Sequence, residues 1–323
     1  MLQLPDFKEK QIVFIGLNDA EKISTLRVKN ENLVVYDQFG ELMNQVSCSK
    51  LFAVFLMGEF SITSNLIKKL LSYGVSIIMT NKYNFKVYAE IGAVAEGNYW
   101  LRYKQYYFDK DLEFARQLVL NKITNQLTLI KEVNPGFFAN KSKLNFIKEF
   151  KTKTQQAGAI DELMGIEGSF SKVYFNEIYG KHDWYKRMPR TKIDVNNLLL
   201  DVGYTLLFNF VDCLLKLHGF DTYKGIFHQL FFQRKSLTCD LVEPFRCLID
   251  KALVRAYGLK QIKKSDFKKT KNGYYLKFDV QKKYMRIFSE ELMANKEEIF
   301  KYVKGFYFAM LNENTDFPQF IYK

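Results

Sequence analysis

The chain has 323 residues, 48% of them apolar and 16% aromatic, with 48 lysines and arginines against 35 acids and a net charge of +13. Such a composition excludes a disordered chain and allows a sizeable core, in one large domain or, as the length favours, two ordinary ones. Its basic excess, interleaved with aromatic side chains, fits a nucleic-acid partner or simply a basic soluble protein.

Four short runs near the N-terminus have strand character: Gln11–Ile15, Ser24–Val28, Leu33–Tyr36 and Leu51–Leu56. The turn-forming pieces Lys29–Asn32 and Gln38–Gly40 separate them. Ser61–Ser64 can then cap a helix whose Leu66, Ile67, Leu70 and Leu71 follow a period near 3.6. Gly74 ends that helix, and Val75–Met79 reads as one more buried strand. From Asn98 onward the periodicity is helical, over roughly 98–108, 111–131, 142–154, 157–180, 196–217, 239–257 and 287–310. A basic stretch, Phe267–Phe278, breaks the run, and its Asn272-Gly273 pair fits a tight hairpin turn. The expected fold class is α+β, with a small β-rich domain over 1–88 and a large, mainly α-helical domain over 89–323.

Cys48, Cys213, Cys239 and Cys247 show no CxxC spacing, which argues against a zinc finger or disulfide framework and for a reducing cytoplasm. The first residues, MLQLPDFKEKQ, lack a signal-peptide layout. Asp201, Asn209 and Asp212 interrupt the most apolar window, so no membrane span is expected.

Three polar residues in apolar surroundings stand out, Glu167, His228 and Glu243, with Asp240 beside them. Glu167 lies between Gly165 and Gly168; it is either a ligand where glycines let another element approach, or a solvated glutamate on a helix shoulder. His228, in Gly-Ile-Phe-His-Gln, is either a ligand or a satisfied core histidine. Asp240 and Glu243 stand three apart, on one helix face, with Pro244 tolerable in a first helical turn. Those acids suit a metal, or merely the positive end of a helix dipole. Arg246 is placed to orient a carboxylate or meet a phosphate, while His182 and His218 receive no role. Two carboxylates and an imidazole together suit Mg²⁺ or Mn²⁺.

The joint pattern resembles the catalytic subunit of the CRISPR spacer-acquisition integrase over nearly the whole chain. Gly165-Ile166-Glu167-Gly168…Tyr174-Phe175 is similar to that family's first ligand motif, and Asp194…Asn197…Gly203-Tyr204 to its central motif. Gly225…His228 with Asp240-Leu241-Val242-Glu243-Pro244-Phe245-Arg246 resembles its second ligand block. Arg102…Gln105 and Lys122…Asn125-Gln126 match the opening helices of its helical domain. Val195 and Cys247 stand where prolines are usual, and Ser169-Phe170-Ser171 replaces small residues; none of these is a ligand.

The resemblance implies that Glu167, His228 and Glu243 bind the metal, with Asp240 a supporting acid in the catalytic set. It implies a transesterification in which a DNA 3′-hydroxyl attacks a phosphodiester of a repeat array, with accompanying DNA endonuclease activity. Double-stranded DNA, as incoming fragment and as repeat, is the implied substrate. A homodimer built through the N-terminal domain and a small dimeric companion protein are the implied partners. The candidate DNA track comprises Arg187, Arg190, Arg246, Lys263, Lys264, Lys268, Lys269 and Lys271, although the lysine run reads equally as a solvated loop. Two other readings remain open: a stand-alone metal-dependent nuclease for branched or single-stranded DNA, and a non-catalytic DNA-architectural protein.

Overall fold

The computed structural model describes residues 3–16, 23–81, 85–92, 97–271 and 273–322. Helix α1 (Leu4–Lys8) leads into β1 (Gln11–Gly16), followed by β2 (Ile23–Lys29), β3 (Asn32–Asp37), β4 (Leu42–Ser47), β5 (Leu51–Met57), α2 (Ser64–Ser72), β6 (Ser76–Thr80) and β7 (Val87–Ile91). The order β1-β5-β6-β7 forms one sheet, in which only β7 runs antiparallel to its neighbour, and β2-β3-β4 forms an antiparallel second sheet. The expected Lys29–Asn32 turn is present, with Asn30 and Glu31 at φ 48° and 60°, as a two-residue hairpin of matching twist requires. Thr63 caps α2 by accepting from the Leu66 amide.

All seven residues of β5, Leu-Phe-Ala-Val-Phe-Leu-Met, are buried, because the strand is covered on both faces. Leu51, Val54 and Leu56 face a core shared with Leu26, Leu33 and Val35 of the second sheet and with Leu66 and Leu70 of α2. Phe52, Ala53, Phe55 and Met57 face the helical core instead. Register slips beside Phe52, which places two successive side chains on the helical side.

The helical part comprises α3 (Tyr99–Tyr106), α4 (Asp111–Val133), α5 (Gly136–Ala139), α6 (Lys141–Gln156), α7 (Ile160–Tyr179), α8 (Val195–His218), α9 (Ser236–Val242) and α10 (Arg246–Gly258). The hairpin β8 (Phe267–Thr270) and β9 (Gly273–Leu276) then precedes α11 (Gln281–Ala294) and α12 (Lys296–Leu311). Asn272 of the expected turn lies outside the described residues. Helix α8 is long and apolar enough to cross a bilayer, yet its side chains are mostly buried within the protein, so it is the central core helix. Asp194 caps it through the Asn197 amide. A Cβ on Gly203 would stand 2.4 Å from Ile249 of α10, so glycine permits that close crossing.

A buried ionic cluster joins sheet to helices. Glu90 of β7 pairs with Lys216 of α8 and with Lys235, and both lysines also reach the fully buried Asp212. Burial opposes ionisation of Asp212, but the two ammonium groups hold its carboxyl below the usual range.

Candidate active site

Helices α4, α7 and α10 meet around three charged side chains. Glu167 projects from the middle of α7, and Glu243 opens a single 3-10 turn, Glu243–Phe245, between α9 and α10. Both carboxylates are in ion-pair contact with one group, the Nζ of Lys122 on α4. Lys122 shares its helix face with the buried Leu118, Val119, Asn125 and Gln126, and its side chain is 7% exposed. The Ser171 hydroxyl donates to Glu167 Oε1 at 2.7 Å.

Glu243 is held from its other side too. Arg246 Nε stands 3.0 Å from Glu243 Oε1, and the guanidinium lies over the Tyr204 ring, 4.7 Å from its centroid. Tyr204 in turn donates to Asp250, a fully buried acid that also receives the hydroxyls of Tyr174 and Tyr179. Burial alone would raise the Glu243 carboxyl, but Arg246, Lys122 and His228 bring it down from its ordinary 4.5 to about 2. A folded value below the unfolded one means stability that is present above pH 4.5 and lost as pH falls toward 2. In chelator-treated protein this contribution is on the order of 3 kcal/mol. The unfolding midpoint should therefore drop across that window in the wild type, and less in Glu243→Gln, when followed by circular dichroism.

His228 occupies the loop between α8 and α9. Gly225 is required there, since a Cβ would lie 2.6 Å from the His228 carbonyl and from Ser236. The loop is folded around Asp240, whose carboxylate is fully buried. Oδ2 accepts the amides of Ile226 and Phe227 at 2.7 and 3.1 Å, and Oδ1 accepts the amide and Nδ1 of His228 at 2.8 and 2.7 Å. That pattern assigns the proton to Nδ1 and leaves Nε2 with a lone pair for a ligand.

Asp240 and Glu243 do not work as a pair on one helix face. The expected single helix over 239–257 is divided by the 3-10 turn at Pro244, so Asp240 serves the His228 loop while Glu243 turns to Lys122. Among the described residues, no three His, Cys, Asp or Glu side chains close around a single ion. The chemistry of the set nevertheless fits one. Two carboxylates converge on a shared cation position, Glu243 Oε2 is buried without an aligned hydrogen-bond donor, and the imidazole of His228, with its tautomer fixed, is within electrostatic reach of Glu243.

The glycines flanking Glu167 have a different role from the close approach expected of them. A Cβ on Gly165 or Gly168 would meet nothing within 4 Å, so that side of α7 is open. Gly165→Ala should stabilise the protein by roughly 0.5–1 kcal/mol through helix propensity, measured by denaturant unfolding.

The candidate DNA-contacting residues divide into two groups. Lys263, Lys264, Lys268, Lys269 and Lys271 are exposed on and beside the β8–β9 hairpin, and Arg190 is exposed as well. Arg187 is engaged inside the protein: its fork meets Asn197 at 2.9 Å and Asp201 at 2.6 Å. Arg246 is bound to Glu243, as described. Lys122 received no role from sequence, where its neighbours one turn on, Asn125 and Gln126, are polar as well. Asn125, one turn on, donates to the Pro244 and Phe320 carbonyls at 3.1 and 2.9 Å and so fixes α4 against the Glu243 turn.

The family model described as CRISPR associated protein Cas1 matches residues 20–290. The chain belongs to the Cas1 family. The CRISPR-associated endonuclease Cas1 1 of Thermodesulfovibrio yellowstonii is 28% identical over 93% of this chain and 97% of its own length. The CRISPR-associated endonuclease Cas1 1 of Archaeoglobus fulgidus is 27% identical over 73% of this chain and 76% of its own. A solved Cas1 protein from Thermotoga maritima superposes with TM-score 0.81 at 20% identity, covering 96% of this chain and all of that one. A casposase bound to integration product gives 0.80 at 21%, covering 97% of this chain and 95% of that one. The expected α+β class, β-rich first and mostly helical after, is thus the Cas1 fold. The chain is a homologue of the Cas1 endonucleases and of the CRISPR adaptation integrases.

Proposed function

We propose that this Cas1-family enzyme inserts short double-stranded DNA into a CRISPR repeat array, using Glu167, His228 and Glu243 to hold Mg²⁺ or Mn²⁺. The convergence of Glu167 and Glu243 on one buried cation position carries this reading. When bound, the ion would polarise the phosphate and ease ionisation of the attacking hydroxyl. In the joining step the 3′-oxygen of the incoming DNA bonds to phosphorus, the repeat's own P–O3′ bond breaks, and the displaced strand leaves as a new 3′-hydroxyl. Asp240 keeps His228 in one tautomer, and Arg246 keeps the Glu243 carboxylate oriented and ionised. Positioning is most of what such a transfer asks of a protein.

The exposed lysines of the β8–β9 hairpin, with Arg190, would lie along the DNA backbone, and salt should weaken binding accordingly. A homodimer through the N-terminal sheets and a small dimeric companion protein complete the proposed assembly, in the cytoplasm. A solved Cas6-RT-Cas1–Cas2 complex shares the fold, with TM-score 0.80 over 98% of this chain and 36% of that one. The test is a branched DNA that mimics the half-integrated product, incubated with Mg²⁺ or Mn²⁺. Resealed repeat strand with release of the fragment is the expected result. Cutting without resealing would favour the stand-alone nuclease, in which water replaces the 3′-hydroxyl. Salt-dependent binding with neither reaction, even when the companion protein is added, would favour an architectural protein.

A further inference from the structure

Lys122 is an expensive residue to bury, and nothing in the joining chemistry requires it. Its ammonium stands between two carboxylates contributed by separate elements, Glu167 of α7 and Glu243 of the 3-10 turn. Those acids are the proposed metal ligands. Without a cation between them they would face each other across a partly buried site, the Glu243 side chain being 6% and the Glu167 side chain 23% exposed. The backbone under Lys122 is fixed by neighbours on the same helix: Asn121 donates to the Phe320 carbonyl at 2.7 Å, and Asn125 to Phe320 and Pro244. Only the flexible four-carbon stem can move.

We propose that Lys122 is a built-in counter-ion that competes with the divalent metal for the place between Glu167 and Glu243, so that metal entry is an exchange of one cation for another. The proposal rests on the metal reading above. It follows from charge and space: an ammonium and a divalent ion cannot share the same two carboxylates without strong repulsion. With no metal the lysine keeps the three elements together; when metal arrives, its side chain must leave at least one carboxylate. Lys122 therefore lowers metal affinity while supporting the metal-free fold.

Full-length wild type, Lys122→Met and Lys122→Gln would be compared for Mn²⁺ binding by calorimetry and for thermal unfolding with and without chelator. Both variants should melt lower than wild type in chelator, by about 5 °C. They should bind Mn²⁺ about tenfold more tightly and show the larger metal-induced rise in melting temperature. Mn²⁺ binding by the variants at or below wild-type affinity would overturn the role of Lys122 and leave the metal site standing. Absence of Mn²⁺ binding in all three proteins would overturn both readings. Should the variants not fold, the wild type with ¹⁵N-labelled lysine side chains supplies the test. The slowly exchanging Lys122 ammonium signal should shift at the Mg²⁺ concentrations that saturate binding; a signal that stays fixed while Mg²⁺ binds would refute the exchange.

Discussion

Glu243→Gln is expected to lose strand joining and cutting by about 1000-fold or more, with DNA affinity within about threefold of wild type. The carboxamide keeps the shape of the side chain and removes the anion that Lys122 and Arg246 both address. Half of the carboxylate pair would then be gone, and the divalent ion proposed above would lose a charged ligand at the position where Glu167 and Glu243 converge. Glu243 is almost fully buried, so it has little surface to offer DNA, and binding should survive. Single-turnover assays on branched DNA, beside a salt titration of binding, would separate the two properties. Turnover within tenfold of wild type would remove Glu243 from the chemistry.

The second large effect is on the fold around the site. Asp240→Asn should destabilise the protein by about 3–5 kcal/mol and lower turnover with it, because a buried carboxylate that accepts four N–H groups is replaced by an amide with one acceptor atom. The three loop amides and the ring of His228 all lean on that carboxylate. With the amide nitrogen facing donors, the loop must open or shift, and Nδ1 loses the partner that fixes its proton. Denaturant unfolding gives the stability term. The ¹⁵N shifts of the His228 ring report the tautomer, and an unchanged spectrum with unchanged stability would deny Asp240 this positioning role. Asp240 and Glu243 are thereby distinguishable: one variant loses stability and turnover together, the other turnover far beyond any loss of stability.

Much of this arrangement was legible in the residues themselves. The apolar run of β5, the Thr63 cap and the Asn30-Glu31 turn were readable because each depends on local chemistry alone. Strand β4 was not, since the side chains of Leu42–Gln45 are exposed and lack the alternation of a half-buried strand. The apolar pattern over 287–310 runs through Asn295, so the division between α11 and α12 was hidden. Within the site, Glu167, His228, Asp240 and Glu243 stood out as polar residues in apolar company. What sequence could not supply was the cation between them. Lys122 lies 45 positions from Glu167, and only the packing of α4 against α7 brings the two together. The partners of Arg187 were equally hidden, because Asn197 and Asp201 become its neighbours only once the segment before α8 folds back along that helix.

The two-sided burial of β5 bears on how the molecule comes apart. Because Phe52, Phe55 and Met57 share a core with Phe7, Phe210 and Phe300, while Val54 and Leu56 on the same strand belong to the other core, neither half can melt without stripping the strand that both use. Severing the chain near residue 88 would leave a naked aromatic sheet face on one fragment and an uncovered helical core on the other. The β-rich and helical parts are accordingly expected to unfold as one cooperative unit, in which loosening of β5 would reach Glu167, 110 residues further along the chain.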